Sequence, residues 1–155
     1  MSLLEYLTEH RAPFRALLHP PAFSAQRRAA RLRRPGRLVA KALLLCGPEG
    51  PFVSVLPATR RLDVAGLERL LGGPVRLASP DEVGATFRDC AWGVVSPFGS
   101  RYGLPTLLDD RFKPEARLVV EGQTPVEAFE LRCVDLERIT GALRAPLSVG
   151  DATTP

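Results

Sequence analysis

The run Leu38-Val39-Ala40-Lys41-Ala42-Leu43-Leu44-Leu45 and the run Pro51-Phe52-Val53-Ser54-Val55-Leu56 flank Gly47-Pro48-Glu49-Gly50. Two apolar runs joined by turn-forming residues read as a β-hairpin, and a hairpin of this hydrophobicity has to be covered by a core. One residue conflicts with that burial. An ammonium group among Val and Leu is costly to desolvate unless something anionic meets it or its stem reaches water. Lys41 is also one of only two lysines; the other is Lys113, and the remaining strong bases are all arginine. Some fifty residues on, Gly93-Val94-Val95-Ser96-Pro97-Phe98-Gly99 forms a Gly- and Pro-rich loop where a strand over Gly93–Val95 should end. A lone lysine on an apolar strand and a glycine loop with accessible backbone amides together suggest a site for an anionic or carbonyl ligand.

The length of 155 residues suits one domain, assigned to residues 1–145, with 146–155 as a flexible tail lacking apolar periodicity. A hydrophobic content of 45% with 25% charged residues is that of a soluble globular chain. No apolar run approaches the roughly 20 residues that span a bilayer. The start, Met1-Ser2-Leu3-Leu4-Glu5, lacks the basic residues and cleavage site of a signal peptide, so the expected location is cytoplasmic and off the membrane. Cys46, Cys90 and Cys133 are odd in number with no CxxC pair, and read as reduced thiols. His10 and His19 belong to no HExxH pattern, so neither a metal nor a cofactor is expected. The net charge of +4 is unevenly spread: Arg27, Arg28, Arg31, Arg33, Arg34 and Arg37 crowd one stretch. They are either a solvated helix face or a patch for phosphates.

Ser2-x-x-Glu5 is a capping box for a first helix ending near His10, and Phe14–Leu18 reads as a strand. Ser24 caps a helix over Ala25–Arg33, closed by Pro35-Gly36, and this helix carries most of the arginines. Asp63 caps a helix with Leu67, Leu70 and Leu71 as its stripe, ended by Gly72-Gly73. Ser79-Pro80-Asp81-Glu82 starts another, with Val83 and Phe87 facing inward. Short strands are expected at Val75–Ala78, Thr106–Leu108, Arg117–Glu121 and around Phe129–Cys133, then a last helix capped by Asp135. Strands and helices mix without a βαβ rhythm, so the fold class is α+β rather than a doubly wound sheet.

Four segments, in this order and spacing, carry a resemblance: His19-Pro20-Pro21-Ala22-Phe23-Ser24-Ala25-Gln26, Arg37-Leu38-Val39-Ala40-Lys41, Val55 to Asp63, and Gly93 to Gly99. The chain resembles the YbaK/prolyl-tRNA synthetase-associated editing domain from about Glu5 to Leu143, as a free-standing member. The resemblance implies a mixed, barrel-like sheet surrounded by helices. It also implies hydrolysis of a mischarged aminoacyl-tRNA in trans, with a small residue such as Ala on tRNA for proline as the first candidate and a prolyl-tRNA synthetase as the related enzyme. Lys41 matches the family's active-site lysine and would hold the phosphate of the terminal adenosine. Gly93, Val94, Val95, Ser96 and Pro97 match its GxxxP loop, whose amides would hold the aminoacyl carbonyl and the oxyanion. His19, Phe23, Ala42, Phe98 and Gly99 would touch substrate, and Arg27, Arg28, Arg31, Arg34 and Arg37 would meet the acceptor end. The chain departs from the pattern at Ala42, where alanine-removing members often carry a polar residue, and at Pro125, where some carry a histidine.

An activated ester needs positioning and an oxyanion site more than a strong protein nucleophile. This suits a chain with no Ser-His-Asp or Cys-His set; Ser96 lacks the flanking glycines of a nucleophile elbow. His19 is either a structural, hydrogen-bonded histidine or part of the pocket. Two other readings stay open: a module of the same fold that binds tRNA or a nucleotide without turnover, and a nonspecific nucleic-acid binder acting through the Arg27–Arg37 stretch.

Overall fold

The computed structural model describes residues 1–152. Its centre is the expected hairpin: β2 (Ala40–Gly47) pairs antiparallel with β3 (Gly50–Pro57), Gly47 opposite Gly50. Gly50 sits at φ +116°, a conformation that only glycine adopts without strain, so it lets Pro48-Glu49 close the turn. The other elements are α1 (Leu3–Glu9), β1 (Phe14–Leu18), α2 (Ala25–Leu32), β4 (Arg60–Leu62), α3 (Val64–Leu71), β5 (Arg76–Leu77) and α4 (Pro80–Thr86). They are followed by β6 (Thr106–Asp109), β7 (Arg117–Glu121), β8 (Glu127–Arg132), α5 (Cys133–Thr140), β9 (Leu143–Ala145) and β10 (Ser148–Asp151).

The strands divide among three sheets, in the orders β5-β2-β3-β6-β9, β1-β8-β7 and β10-β4. β3 and β6, and β6 and β9, run parallel, so the large sheet is mixed. A single parallel bridge, Val39 to Val119, links the start of β2 to β7. The α+β class holds, but among the described residues strand pairing closes no barrel.

Strand alternation sorts the side chains into separate cores. Ala40, Leu44, Val53, Val55, Leu108, Leu118, Val120, Phe129 and Leu131 face one inner cluster, which α1, α4 and α5 cover with Leu3, Leu7, Phe87 and Leu136. Their neighbours face outward. Val39 and Val119 pack under Ala25 and Ala29 of α2, whereas Leu45, Phe52 and Leu107 pack under Leu67 of α3 and Leu147. The caps form as expected: Ser2 and Ser79 make full capping boxes, and the Ser24 and Asp63 side chains accept from Arg27 N and Gly66 N.

Four expectations are corrected. Ser148–Asp151, assigned to a tail, is strand β10 on β4, and Leu147 is fully buried beneath it; residues 153–155 of that tail lie outside the described residues. Gly93–Val95 is loop, not strand. α5 starts at Cys133 with Arg132 as its cap residue, and Asp135 is instead a buried acid in the first turn that binds Arg132 and Arg138. Of the α3 stripe only Leu67 is buried; Leu70 remains 57% exposed.

Candidate active site

Lys41 lies opposite Leu56 in the hairpin. Its neighbours Ala40 and Ala42 turn toward the inner core, so alternation sends the lysine outward, between the cluster under α2 and the cluster under α3. There it lines a pocket of about 260 Å³ with Ser24, Ala25, Gln26, Arg61 and Leu62. Among the described residues its ammonium has no ion pair, and half-burial pulls its pKa below the ordinary lysine value. The pocket wall holds no carboxylate. It does hold the first turn of α2, whose Ser24 side chain accepts from Arg27 N at 3.1 Å while Gln26 Nε2 donates to Ala58 O at 3.1 Å. A helix N-terminus, a lysine and an arginine converge on one concavity, an arrangement whose charge suits an anion.

The glycine loop is held differently. Gly93 has φ +88° and nothing within 4 Å of a built Cβ, so its conformation, not crowding, requires glycine. Ala91 N donates to Gln123 O at 2.8 Å and Val94 N to Ala91 O at 3.1 Å. Among the described residues the N–H groups of Gly93, Val95 and Ser96 have no protein acceptor, and of the three residues Gly93 is exposed, Val95 half-buried and Ser96 buried. Ahead of the loop, Asp89 accepts from Tyr102 Oη at 2.6 Å, Arg101 Nη2 at 2.8 Å and Gln123 Nε2 at 3.0 Å. Burial pushes the Asp89 carboxyl up, but the Tyr102 hydroxyl and the Arg101 guanidinium outweigh it and hold it below its usual value. Burial raises the neighbouring Cys90 thiol to about 11, so it is no thiolate nucleophile near neutrality.

Loop and lysine do not share a pocket: none of Gly93–Pro97 lines the cavity at Lys41. Their link is the inner core, against which both Ala42 and Val95 pack and to which Phe98 belongs. Several expected substrate contacts are corrected by burial. Phe98 is fully buried, edge-on to Tyr6 at 5.9 Å, and Gly99 is packed where a Cβ would sit 2.4 Å from Thr106 Oγ1. Ser96 is 2% exposed and its Oγ accepts from Phe98 N at 3.2 Å, so its side chain is not open to a substrate. His19 is buried with Nδ1 on Pro20 O at 2.8 Å, which makes Nδ1 the donor; it does not line the Lys41 pocket. Phe23, by contrast, stands 82% exposed just before α2.

The arginine stretch also splits. Arg28 is 1% exposed and faces Glu121 at 3.0 Å beneath α2, and Arg34 is paired with Glu130. Arg28 is thereby withdrawn from any RNA surface, whereas Arg34 stays partly exposed with its charge met by Glu130. Arg27, Arg31 and Arg37 are exposed and unpaired among the described residues. Arg61 and Gln26 were missed as pocket residues, although both fall within the segments that carry the resemblance.

The loop geometry makes one prediction. Gly93→Ala is expected to cost about 1–3 kcal/mol in backbone strain and to lower Tm by a few degrees in thermal unfolding. An unchanged Tm would show that residue 93 does not hold a positive φ.

A family model described as aminoacyl-tRNA editing domain matches residues 19–139. Among solved structures, a candidate trans-editing enzyme for prolyl tRNA synthetase is 27% identical over 96% of this chain and 95% of that one, with a TM-score of 0.82. A scaffold from epitope backbone grafting by computational design is 27% identical over 88% of this chain and 87% of its own, with a TM-score of 0.76. The hypothetical protein APE2540 is similar in fold, at 23% identity, 95% and 99% coverage and a TM-score of 0.85. No curated protein is a significant match in sequence. No helix among the described residues is long and apolar enough to cross a membrane.

Proposed function

The chain belongs to the aminoacyl-tRNA editing domain family, and on that premise we propose that it deacylates mischarged aminoacyl-tRNA in trans. The observation that carries this reading is the anion pocket at Lys41: an unpaired ammonium, the first turn of α2 and Arg61, with no carboxylate in the wall. Lys41 holds the phosphate of the terminal adenosine. The free amides of Gly93, Val95 and Ser96 take the aminoacyl carbonyl and then the oxyanion. Phosphate and ester are different parts of one substrate, so the two groups act without sharing a pocket. A water oriented by a ribose hydroxyl of the tRNA attacks the carbonyl carbon. The ester C–O bond breaks, a proton from the water passes to the departing ribose oxygen, and free amino acid and tRNA leave. No side-chain nucleophile is needed, because preorganised amides supply the charge stabilisation.

The substrate class is a small amino acid, Ala on tRNA for proline first, with Ser and Cys next. The partners are the acceptor end of that tRNA and, as the source of the error, a prolyl-tRNA synthetase; the setting is cytoplasmic. The likeness to the candidate trans-editing enzyme supports the tRNA. Size alone separates one methylene by only about 1–3 kcal/mol, so activity on more than one small residue is expected.

The test is a deacylation screen with Ala, Ser and Cys on tRNA for proline and small residues on other tRNAs. Substoichiometric protein is expected to clear at least one member over many turnovers. Tight binding without turnover across the panel would establish the binding module instead. That second reading has its own support: residue 42 faces the core, and Pro125 O is occupied by Ala22 N at 3.0 Å. Neither position offers the polar group that alanine-removing members often carry.

A further inference from the structure

A second cavity, of about 610 Å³, has four cations in its wall and no carboxylate: Arg37, Arg60, Arg111 and Lys113. They come from three separate segments, the turn before β2, strand β4 and the connection after β6. Arg60 Nε donates to Ser148 Oγ at 3.3 Å, and none of the four forms an ion pair among the described residues. Other arginines are also unpaired, but here four cations from separate segments line one cavity whose wall holds no acid. This gathering of like charge also has a direction. The adjoining cavity shares Arg37 and Lys113 but contains Glu115 and Glu130, and Arg34 is neutralised there. On the other side, β4 carries the positive wall onward. Arg60 lines this cavity and the next residue, Arg61, lines the pocket at Lys41. Successive strand residues face opposite ways, so β4 is a ridge with a cationic hollow on each flank.

We propose that this second cavity binds the phosphate backbone of an RNA duplex, namely the acceptor stem of the tRNA whose 3′ end is held at Lys41. The identity of the RNA rests on the editing reading; the uncompensated cavity does not. Two hollows separated by one strand fit an extended polyanion that runs over the ridge, rather than a compact one filling a single pocket. Of the arginine stretch read from the sequence, Arg37 lines this cavity, while Arg28 is buried and Arg34 is paired.

The test is the double variant Arg111→Ala/Lys113→Ala. Both side chains are exposed and unpaired among the described residues, so thermal unfolding should match the parent. Affinity for uncharged tRNA, read by fluorescence anisotropy over a range of salt, is expected to fall at least tenfold. The slope of log K against log salt should become shallower by about 0.7–0.9 for each phosphate that the variant no longer neutralises. In deacylation the loss should appear in KM rather than kcat. A folded variant with parental tRNA affinity and salt slope would overturn the proposal. So would a variant that loses tripolyphosphate binding yet keeps tRNA, because that marks a small-polyphosphate site. If the parent hydrolyses no aminoacyl-tRNA but the variant still loses tRNA affinity, the cavity stands and the editing reading falls.

Discussion

Replacing Lys41 by alanine is expected to reduce kcat/KM for deacylation by on the order of 10²-fold or more, with the fold intact. The reason is geometric. The lysine is the one ammonium in a pocket with no carboxylate, so its removal frees the phosphate of the terminal adenosine to move and misplaces an ester that must meet the loop amides. Stability should move the other way. Half-burial lowers the lysine pKa in the folded state. The unfolded chain therefore binds the proton more tightly, and the cost of burying the charge is fully present below the lowered folded pKa. It is relieved as pH rises through that value toward 10.5. At pH 7 Lys41→Met should thus be at least as stable as the parent, while remaining inactive. The same shift predicts that KM rises with pH earlier than an ordinary lysine would dictate, as the phosphate loses its cation. A folded Lys41→Ala protein with parental activity would remove Lys41 from the mechanism, and a KM that does not rise with pH below 10.5 would remove its charge.

The second large effect concerns Arg28. Its side chain is 2% exposed and sits 3.0 Å from Glu121, without the alignment of a hydrogen bond, so Nε and Nη2 lack hydrogen-bonding partners. Burial is the largest influence on Glu121 and leaves its carboxyl above the ordinary value despite the guanidinium. Pairing therefore does not fully offset desolvation. Cutting one partner strands the other charge under α2: Arg28→Ala is expected to cost about 3–5 kcal/mol, and roughly 2–4 °C of Tm per kcal/mol for a chain this size. Replacing both partners, as Arg28→Met/Glu121→Leu, should recover most of that loss or exceed the parent, since well-packed apolar residues often match a buried pair. Arg27→Ala on the exposed face of the same helix should change stability by less than about 0.5 kcal/mol. Urea unfolding distinguishes the cases. Equal effects for Arg27→Ala and Arg28→Ala would mean that Arg28 is on the surface, and the phosphate role denied to it here would return.

The contrast between these two residues shows what could be read from the chain. The hairpin, the capped starts of four helices and the mixed class were legible because each depends on local chemistry. Such local chemistry includes turn residues between apolar runs, a hydroxyl or carboxylate three residues before an amide, and period-two alternation. Lys41 was legible for the same reason: a charge in an apolar run conflicts with its own neighbours. The strand expected at Gly93–Val95 failed because short apolar runs do not say whether a partner strand is there to bond them. The 146–155 tail failed likewise: β10 has little periodicity of its own and exists because β4 supplies its hydrogen bonds.

The sequence by itself thus determined where helices begin, where the hairpin turns and which residue carries a charge at odds with its neighbours. Only the tertiary structure decided which arginines of the 27–37 stretch stay free, because the carboxylates that meet Arg28 and Arg34 arrive from distant strands. Glu121 and Glu130 reach Arg28 and Arg34 from β7 and β8, about a hundred residues away in the chain. Burial of charge is set by such long-range encounters. The same encounters left Arg37, Arg60, Arg111 and Lys113 facing one cavity with no acid in its wall.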